Sequence, residues 1–259
     1  MVDTVRRHTP LVQCLTNTVV QEITANVLLA AGAAPVMTAD PEESRLCAAT
    51  ASALLVNLGT ITTEQVTVIE TAVTSAVRSG TPWVLDPVAV GSLPLRTSVA
   101  HALHTRGPSA IRCNPSEAAA LSGRGGGGRG VDSVDEVEDA LPAATDLSAR
   151  TCAVVAVSGA RDLVVTGGRV TWIESGDPLM QKVIGSGCAL GALTAAYLGI
   201  GTRSPGGPHA AVVAAHAHAG AAGLVAAHSA TGPGSFAVAW LDALHRIDGS
   251  TVAELVSLS

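Results

Sequence analysis

Residues 53–91 read ALLVNLGTITTEQVTVIETAVTSAVRSGTPWVLDPVAVG. "ALLVNLG" is an unbroken apolar run, as expected of a strand covered on both faces. Thr62 or Thr63 can accept from the free amides that open the next helix, "EQVTVIETAVTSAVRSG", and Gly80 is its stop. "PWVLDPVAVG" is a second buried strand that runs into a loop. Strand, helix and strand in this order make a βαβ unit with parallel strands.

The alternation continues in both directions. Upstream, "PLVQCLT" reads as a strand, "VQEITANVLLAAGA" as a helix closed by Gly32, "APVMTA" as a strand and "EESRLCAATAS" as a helix. Downstream, "SVAHALHTRG" is a helix and "AIRCNPSE" a strand ending in a turn. "VDEVEDALPAATDL" is helical, with an interruption expected at Pro142. "CAVVAVSG" is another buried strand, and "DLVVTGGRVTWIE" a hairpin across Gly167 and Gly168. Helices follow at 188–200, at about 208–228 with Pro208 at the start, and at 235–247. The expected fold is α/β, a central mostly parallel sheet flanked by helices. Residues 1–259 contain no visible repeat or linker, so one domain is expected. "SGRGGGGRG" reads as a flexible surface loop, and without a GK[ST] ending it is no Walker-type phosphate loop.

Apolar residues make up 47% of the chain, charged residues 14% and aromatics 2%, so Ala, Val and Leu must fill the core. Broad apolar faces of this kind predict subunit contacts. The net charge of −6 argues against a nucleic-acid partner. An anionic ligand would need backbone amides and a few placed cations, and the only lysine is Lys182. Cys14, Cys47, Cys113, Cys152 and Cys188 are odd in number with no CxxC pair, which favours reduced cytosolic thiols. The start shows no signal-peptide core. "AAVVAAHAHAGAAGLVAAH" suits a buried helix better than a membrane span. In that stretch His216 and His218 point to different helix faces, so packing or hydrogen bonding is expected rather than a metal pair.

Chemistry gathers in "KVIGSGCALGALTAAYLG", residues 182–199. A helix starting at Ser186 or Gly187 leaves its first amides without partners, and these and the helix dipole favour an anion. Gly185 and Gly187 let the backbone approach a ligand. The same field would favour a thiolate at Cys188. The alternative is a capped helix whose thiol only packs. Asp86 in "WVLDPVAVG" and Glu117 in "IRCNPSE" fall at strand carboxyl ends, where open α/β sheets bind ligands. Both suit Mg²⁺. Glu117, three residues after Asn114, equally fits a capping box, and Asp86 a plain turn. Arg112 and Ser158 at the same edge suit a polyphosphate, or are surface groups.

Taken together, "TNTVVQEITANVLLAAGAAPVMTADPEE", "VNLGT", "LDPVAVG", "IRCNPSE", "VAVSGARD", "IGSGCALGALTAAYL" and "GPGSF" resemble, in order, the hydroxyethylthiazole kinases of thiamine salvage. The resemblance runs from about Pro10 to Leu244. It implies a ribokinase-like fold and transfer of the γ-phosphoryl of ATP, with Mg²⁺, to the hydroxyl of 4-methyl-5-(2-hydroxyethyl)thiazole. It also implies a homotrimer with sites at subunit boundaries, in a chain whose thiols already suggest the cytoplasm. Met37 matches the family's thiazole contact, Gly185 a substrate-side glycine, and Arg112 and Ser158 its ATP positions. Asp86 and Glu117 match carboxylates near the metal, and Asn17 falls at the substrate end. Cys188 stands where related sugar kinases carry an aspartate base; here it would orient or deprotonate the hydroxyl, with the amides of 185–188 contributing more. Ser158 and Ser186 replace the usual threonines and keep the hydroxyl. Cys113 and Pro115 also depart from the family's usual residues. A kinase of another small alcohol such as hydroxymethylpyrimidine, and a catalytically silent ligand-binding protein, are the alternatives.

Overall fold

The computed structural model describes residues 1–124, 137–201 and 206–259. Its strands are β1 (Leu11–Leu15), β2 (Ala34–Val36), β3 (Ala53–Asn57), β4 (Trp83–Asp86), β5 (Ala110–Cys113), β6 (Val154–Val157), β7 (Asp162–Thr166), β8 (Arg169–Glu174) and β9 (Ser257–Leu258). They form one sheet in the order β2-β1-β3-β4-β5-β6-β7-β8-β9. The pairings from β2 through β6 are parallel, and β7, β8 and β9 add antiparallel at one edge. The sheet is therefore mostly parallel, and β3, β4 and β6 are buried throughout.

Helices cover both faces. They are α1 (Val2–His8), α2 (Gln21–Ala31), α3 (Pro41–Thr50), α4 (Thr63–Ser79), α5 (Pro94–Leu103), α6 (Pro115–Ser122), α7 (Leu141–Thr151), α8 (Ser186–Gly199), α9 (Gly207–Ala227), α10 (Pro233–Arg246) and α11 (Gly249–Leu255). One apolar core joins the sheet to α1, α2 and α8 through α11, and the other joins it to α3 through α7. Alternating side chains along each buried strand feed the two cores in turn.

Local chemistry sets the element boundaries. Thr62 and Gln65 close the capping box that starts α4, and Gly80 ends it at φ 70°. Pro142 does not interrupt a helix. A single 3-10 turn, Val137–Ala140, leads into α7, and Pro142 occupies its first turn, where no N–H is needed. α8 runs from Ser186 to Gly199, starting at Ser186 as the reading of its free amides has it, two residues ahead of the 188–200 span. α1, α11 and β9 were not expected, because each is too short to show a period. Arg6 of α1 ties the ends together by donating to the carbonyls of Leu244, His245 and Ile247 at the end of α10. α9 is long and apolar enough to cross a membrane, but 72% of its most apolar stretch is buried inside the fold. The five cysteines are unpaired. Most of the "SGRGGGGRG" stretch lies outside the described residues.

α8 packs on β1, β3 and β4. Gly191 permits this. A Cβ there would stand 3.2 Å from both Asp86 Oδ2 and Leu55 Cδ1. The amino end of α8 therefore meets the carboxyl ends of the central strands.

Candidate active site

Five adjacent strands deliver polar groups to one edge of the sheet. Asn17 lies just beyond β1, Asn57 and Asp86 end β3 and β4, Arg112 is in β5, and Ser158 follows β6. Pairing of β3 with β4 sets Asn57 opposite Asp86. Asn57 Nδ2 donates to Asp86 Oδ2 at 2.8 Å, and Asn57 Oδ1 accepts from Asn17 Nδ2 at 3.3 Å and the Gly59 amide at 3.0 Å. Asn17 Nδ2 also lies 3.8 Å from Cys188 Sγ. Arg112 Nη2 donates to Ser158 Oγ, and Nη1 stands 3.8 Å from Asp86 Oδ2. Asp86 Oδ1 is buried without a partner among the described residues.

Against this array stands the amino end of α8. Gly185 takes φ 86°, a conformation that favours glycine, and a Cβ there would lie 2.7 Å from Ile23 Cγ2. The Ser186 amide donates to Val183 O at 3.3 Å, and the Ser186 hydroxyl donates to Met180 O at 2.8 Å. The first amide to close onto the helix is that of Ala189, on Gly185 O at 2.8 Å. No backbone acceptor among the described residues meets the N–H groups of Gly187 and Cys188. Of the cradle expected over 185–188, the Ser186 amide is thus taken up by Val183 O, while those of Gly185, Gly187 and Cys188 have no backbone acceptor among the described residues. Gly187 lies so close to Arg112 that a Cβ would be 3.0 Å from Nη1 and Nη2. Arg112, Ser158, Ser186 and Gly187 line one cavity of about 260 Å³.

Burial reverses the expectation for Cys188. The thiol is pushed up to about 11, first by desolvation and next by the charge of Asp86, while Arg112 and a hydrogen bond from Asn57 oppose this. Asp86 is raised to about 7, chiefly by burial and further by Glu117, with Arg112 and Asn57 opposing. At neutral pH the cysteine is a thiol and the aspartate is poised between its two forms. Cys188→Ala is therefore expected to keep kcat within about tenfold of the parent, with an unshifted pH profile, because a thiol at about 11 holds only about one thiolate in 10⁴ at pH 7. Steady-state kinetics from pH 6 to 9 check this.

Glu117 is where the capping reading placed it. Its Oε2 accepts the Asn114 amide at 2.9 Å, and Asn114 Oδ1 accepts the Glu117 amide at 2.8 Å. Oε1 accepts the amide of Ala89 at 2.9 Å. Ala89 has φ 61°, so Glu117 holds a left-handed residue in the loop after β4. Met37 follows β2 at the same sheet edge and is half-buried against the α2 and α8 core, apart from the cavity that Arg112 lines.

A sequence profile of the hydroxyethylthiazole kinase family matches residues 2–250. The chain belongs to that family. It is 58% identical over 254 residues to the hydroxyethylthiazole kinase of Corynebacterium glutamicum, covering 98% of this chain and 95% of that one. Against the enzyme of the same name from Klebsiella pneumoniae the identity is 49% over 241 residues, 93% of this chain and 92% of the other. The solved hydroxyethylthiazole kinase of Pyrococcus horikoshii superposes with TM-score 0.90 at 33% identity, covering 100% of this chain and 96% of that one. Pyridoxal kinase of Staphylococcus aureus, solved with ADP, shares the fold at TM-score 0.63 and 20% identity, over 83% of this chain and 88% of its own. The fold is ribokinase-like.

Two groups in this hydroxyethylthiazole kinase family member escaped sequence reading. Asn57 bridges Asn17 and Asp86. Its signal was available, since "VNLG" ends a buried strand as "VLDP" does. His216 is hydrogen-bonded as expected, to Asp162, but its place on the cavity wall was not foreseen. His218 does sit among helices, with Tyr197 Oη at 2.9 Å and Leu244 O at 3.2 Å.

Proposed function

We infer that this chain transfers the γ-phosphoryl of ATP to the hydroxyl of 4-methyl-5-(2-hydroxyethyl)thiazole. The observation that carries the reading is the pair of unengaged amides at Gly187 and Cys188, set against Arg112 at the cavity wall. Phosphoryl transfer spreads charge over the oxygens of the migrating group, so catalysis is positioning and charge neutralisation. The two amides meet that charge from the helix end, and Arg112 meets it from β5. Ser158 fixes the guanidinium. Ser186 anchors the turn to Met180 O rather than reaching the ligand.

A cation fits Asp86. Its Oδ1 is buried and unpartnered, and a carboxylate oxygen suits a hard ion. Bound there, Mg²⁺ would neutralise charge on the phosphates. Glu117, with both oxygens held by amides, supports Asp86 with negative charge and keeps its loop in place. The alcohol lies on the Asn17 side, between Met37 and Gly185. Asn17 and Cys188, 3.8 Å apart, orient its hydroxyl. Cys188, a thiol near neutrality, is poorly matched to take the departing proton; Asp86, at about 7 before a cation binds, would be held ionised by one at Oδ1 and act through its charge.

The reading treats the whole chain as one kinase domain, since its groups come from one sheet and from the helix α8 packed on it. We place it in the cytoplasm, in line with five unpaired thiols. We also propose a homotrimer whose partner subunit covers the alcohol side. Val19 and Ile184, 62% and 75% exposed, flank that side next to Gly185. Ile184→Asp is expected to give monomers by light scattering, with a raised KM for the alcohol. A mass of one chain for the parent protein would refute the trimer.

The activity test uses ATP, Mg²⁺ and either the thiazole alcohol or hydroxymethylpyrimidine. The expected outcome is a phosphate monoester of the thiazole and ADP in equal amounts. A higher kcat/KM for the pyrimidine, or no alcohol-dependent ADP, would overturn the reading.

A further inference from the structure

His216 and Asp162 form a pair that the reading above leaves unused. Asp162 opens β7, and His216 lies in the third turn of α9. Asp162 Oδ1 accepts the Gly159 amide at 3.0 Å, and Oδ2 lies 2.6 Å from His216 Nδ1. A carboxylate held at both oxygens requires a proton on Nδ1. In the neutral ring the other nitrogen, Nε2, then carries a lone pair.

That Nε2 is buried with no partner among the described residues, and the residue is 1% exposed. The imidazole nevertheless lines the cavity of about 260 Å³ shared with Arg112, Ser158 and Gly187. Buried polar atoms are ordinarily satisfied, and leaving one unpaired is costly. The other buried histidines of α9 obey the rule. His218 uses both nitrogens, as above, and His209 meets Thr171 Oγ1 at 2.9 Å and Thr166 Oγ1 at 3.2 Å. Among these three, His216 alone leaves a ring nitrogen without a hydrogen-bond partner, and it alone lines that cavity.

We propose that His216, oriented by Asp162, recognises the nucleoside part of the phosphoryl donor by accepting a hydrogen bond at Nε2. The matching group is a ribose hydroxyl or the exocyclic amine of adenine. Phosphate oxygens do not match the neutral ring, since they bring no proton to its lone pair and would face the Asp162 charge. Arg112 and the Gly187 amide take the phosphates at another part of the same wall. His216 is a specificity residue for the donor, not a catalytic one. The assignment rests on the ATP-dependent reading above.

The test compares ATP, 2′-deoxy-ATP, 3′-deoxy-ATP and inosine triphosphate as donors for the parent protein, His216→Leu and His216→Gln. The parent is expected to disfavour the analogue lacking the matched group by about tenfold in kcat/KM. A deoxy analogue points to the ribose, the inosine analogue to the amine. His216→Leu should use ATP and that analogue equally, through a raised KM for ATP and an unchanged KM for the alcohol. His216→Gln, which keeps an acceptor, should retain part of the preference and stands in if the leucine variant does not fold. A parent that treats all four donors alike, or a leucine variant that keeps the parent's preference, overturns the assignment. Calorimetric Kd values for the same nucleotides decide the matter even if no phosphoryl transfer is seen, so failure of the kinase reading and failure of this one are distinguishable.

Discussion

Gly187→Val is expected to lower kcat/KM by about 10²–10³-fold, the cost of removing a donor to a developing oxyanion. The argument is steric. A Cβ at residue 187 stands 3.0 Å from both terminal nitrogens of Arg112, before the two methyl groups of valine are added. The guanidinium must shift from its place beside Ser158 and Asp86, and the branched side chain crowds the amides of 187 and 188. One substitution thus removes two sources of positive potential. Gly185 is a poorer probe, because its φ of 86° and its contact with Val20 and Ile23 would strain any side chain for purely structural reasons. Gly187 has no positive φ, so the fold should survive, which circular dichroism checks. Gly187→Ala should fall between parent and valine. A valine variant within threefold of the parent would show that the amide end of α8 is not where charge develops.

Asp86→Asn should cost at least about 10²-fold in kcat/KM. The asparagine keeps the shape and a hydrogen bond to Asn57 but loses the free anionic oxygen. The pH dependence follows from the raised value of about 7, whose main cause is burial. The ionised form is the active one. Activity of the parent should therefore fall below about pH 7, and a cation at Oδ1 should move that limb lower. The residual activity of the asparagine variant should lack the limb. Stability runs the other way. The folded protein holds this proton more tightly than the unfolded chain, whose Asp titrates near about 3.9. The group's stabilising contribution is full below about pH 4 and is lost as pH rises through about 7. Urea unfolding at pH 5 and 8 should show this loss in the parent and not in the variant. An unchanged acid limb in the variant would move the proton to another group.

Much of this was legible because buried parallel strands announce themselves. "ALLVN" and "WVLD" are continuous apolar runs that end in one polar residue, and the ends fall at the ligand edge. What the sequence hid is which ends become neighbours. Asn57 meets Asp86 only through the β3–β4 register. His216 meets Asp162 only because α9 packs on β7. Cys188 misled for the same reason. The helix field is local and readable, whereas the desolvation and the Asp86 charge that outweigh it come from the tertiary structure. Glu117 could be read two ways, and the Ala89 amide, bound from another loop, shows how fully the cap occupies it.

The most direct measurement is a crystal structure with ADP, Mg²⁺, aluminium fluoride and the thiazole alcohol bound. The planar fluoride stands in for the migrating phosphoryl group. The account predicts its equatorial atoms about 3 Å from the amide nitrogens of Gly187 and Cys188, with Arg112 alongside. A fluoride group out of hydrogen-bond reach of both amides would contradict it.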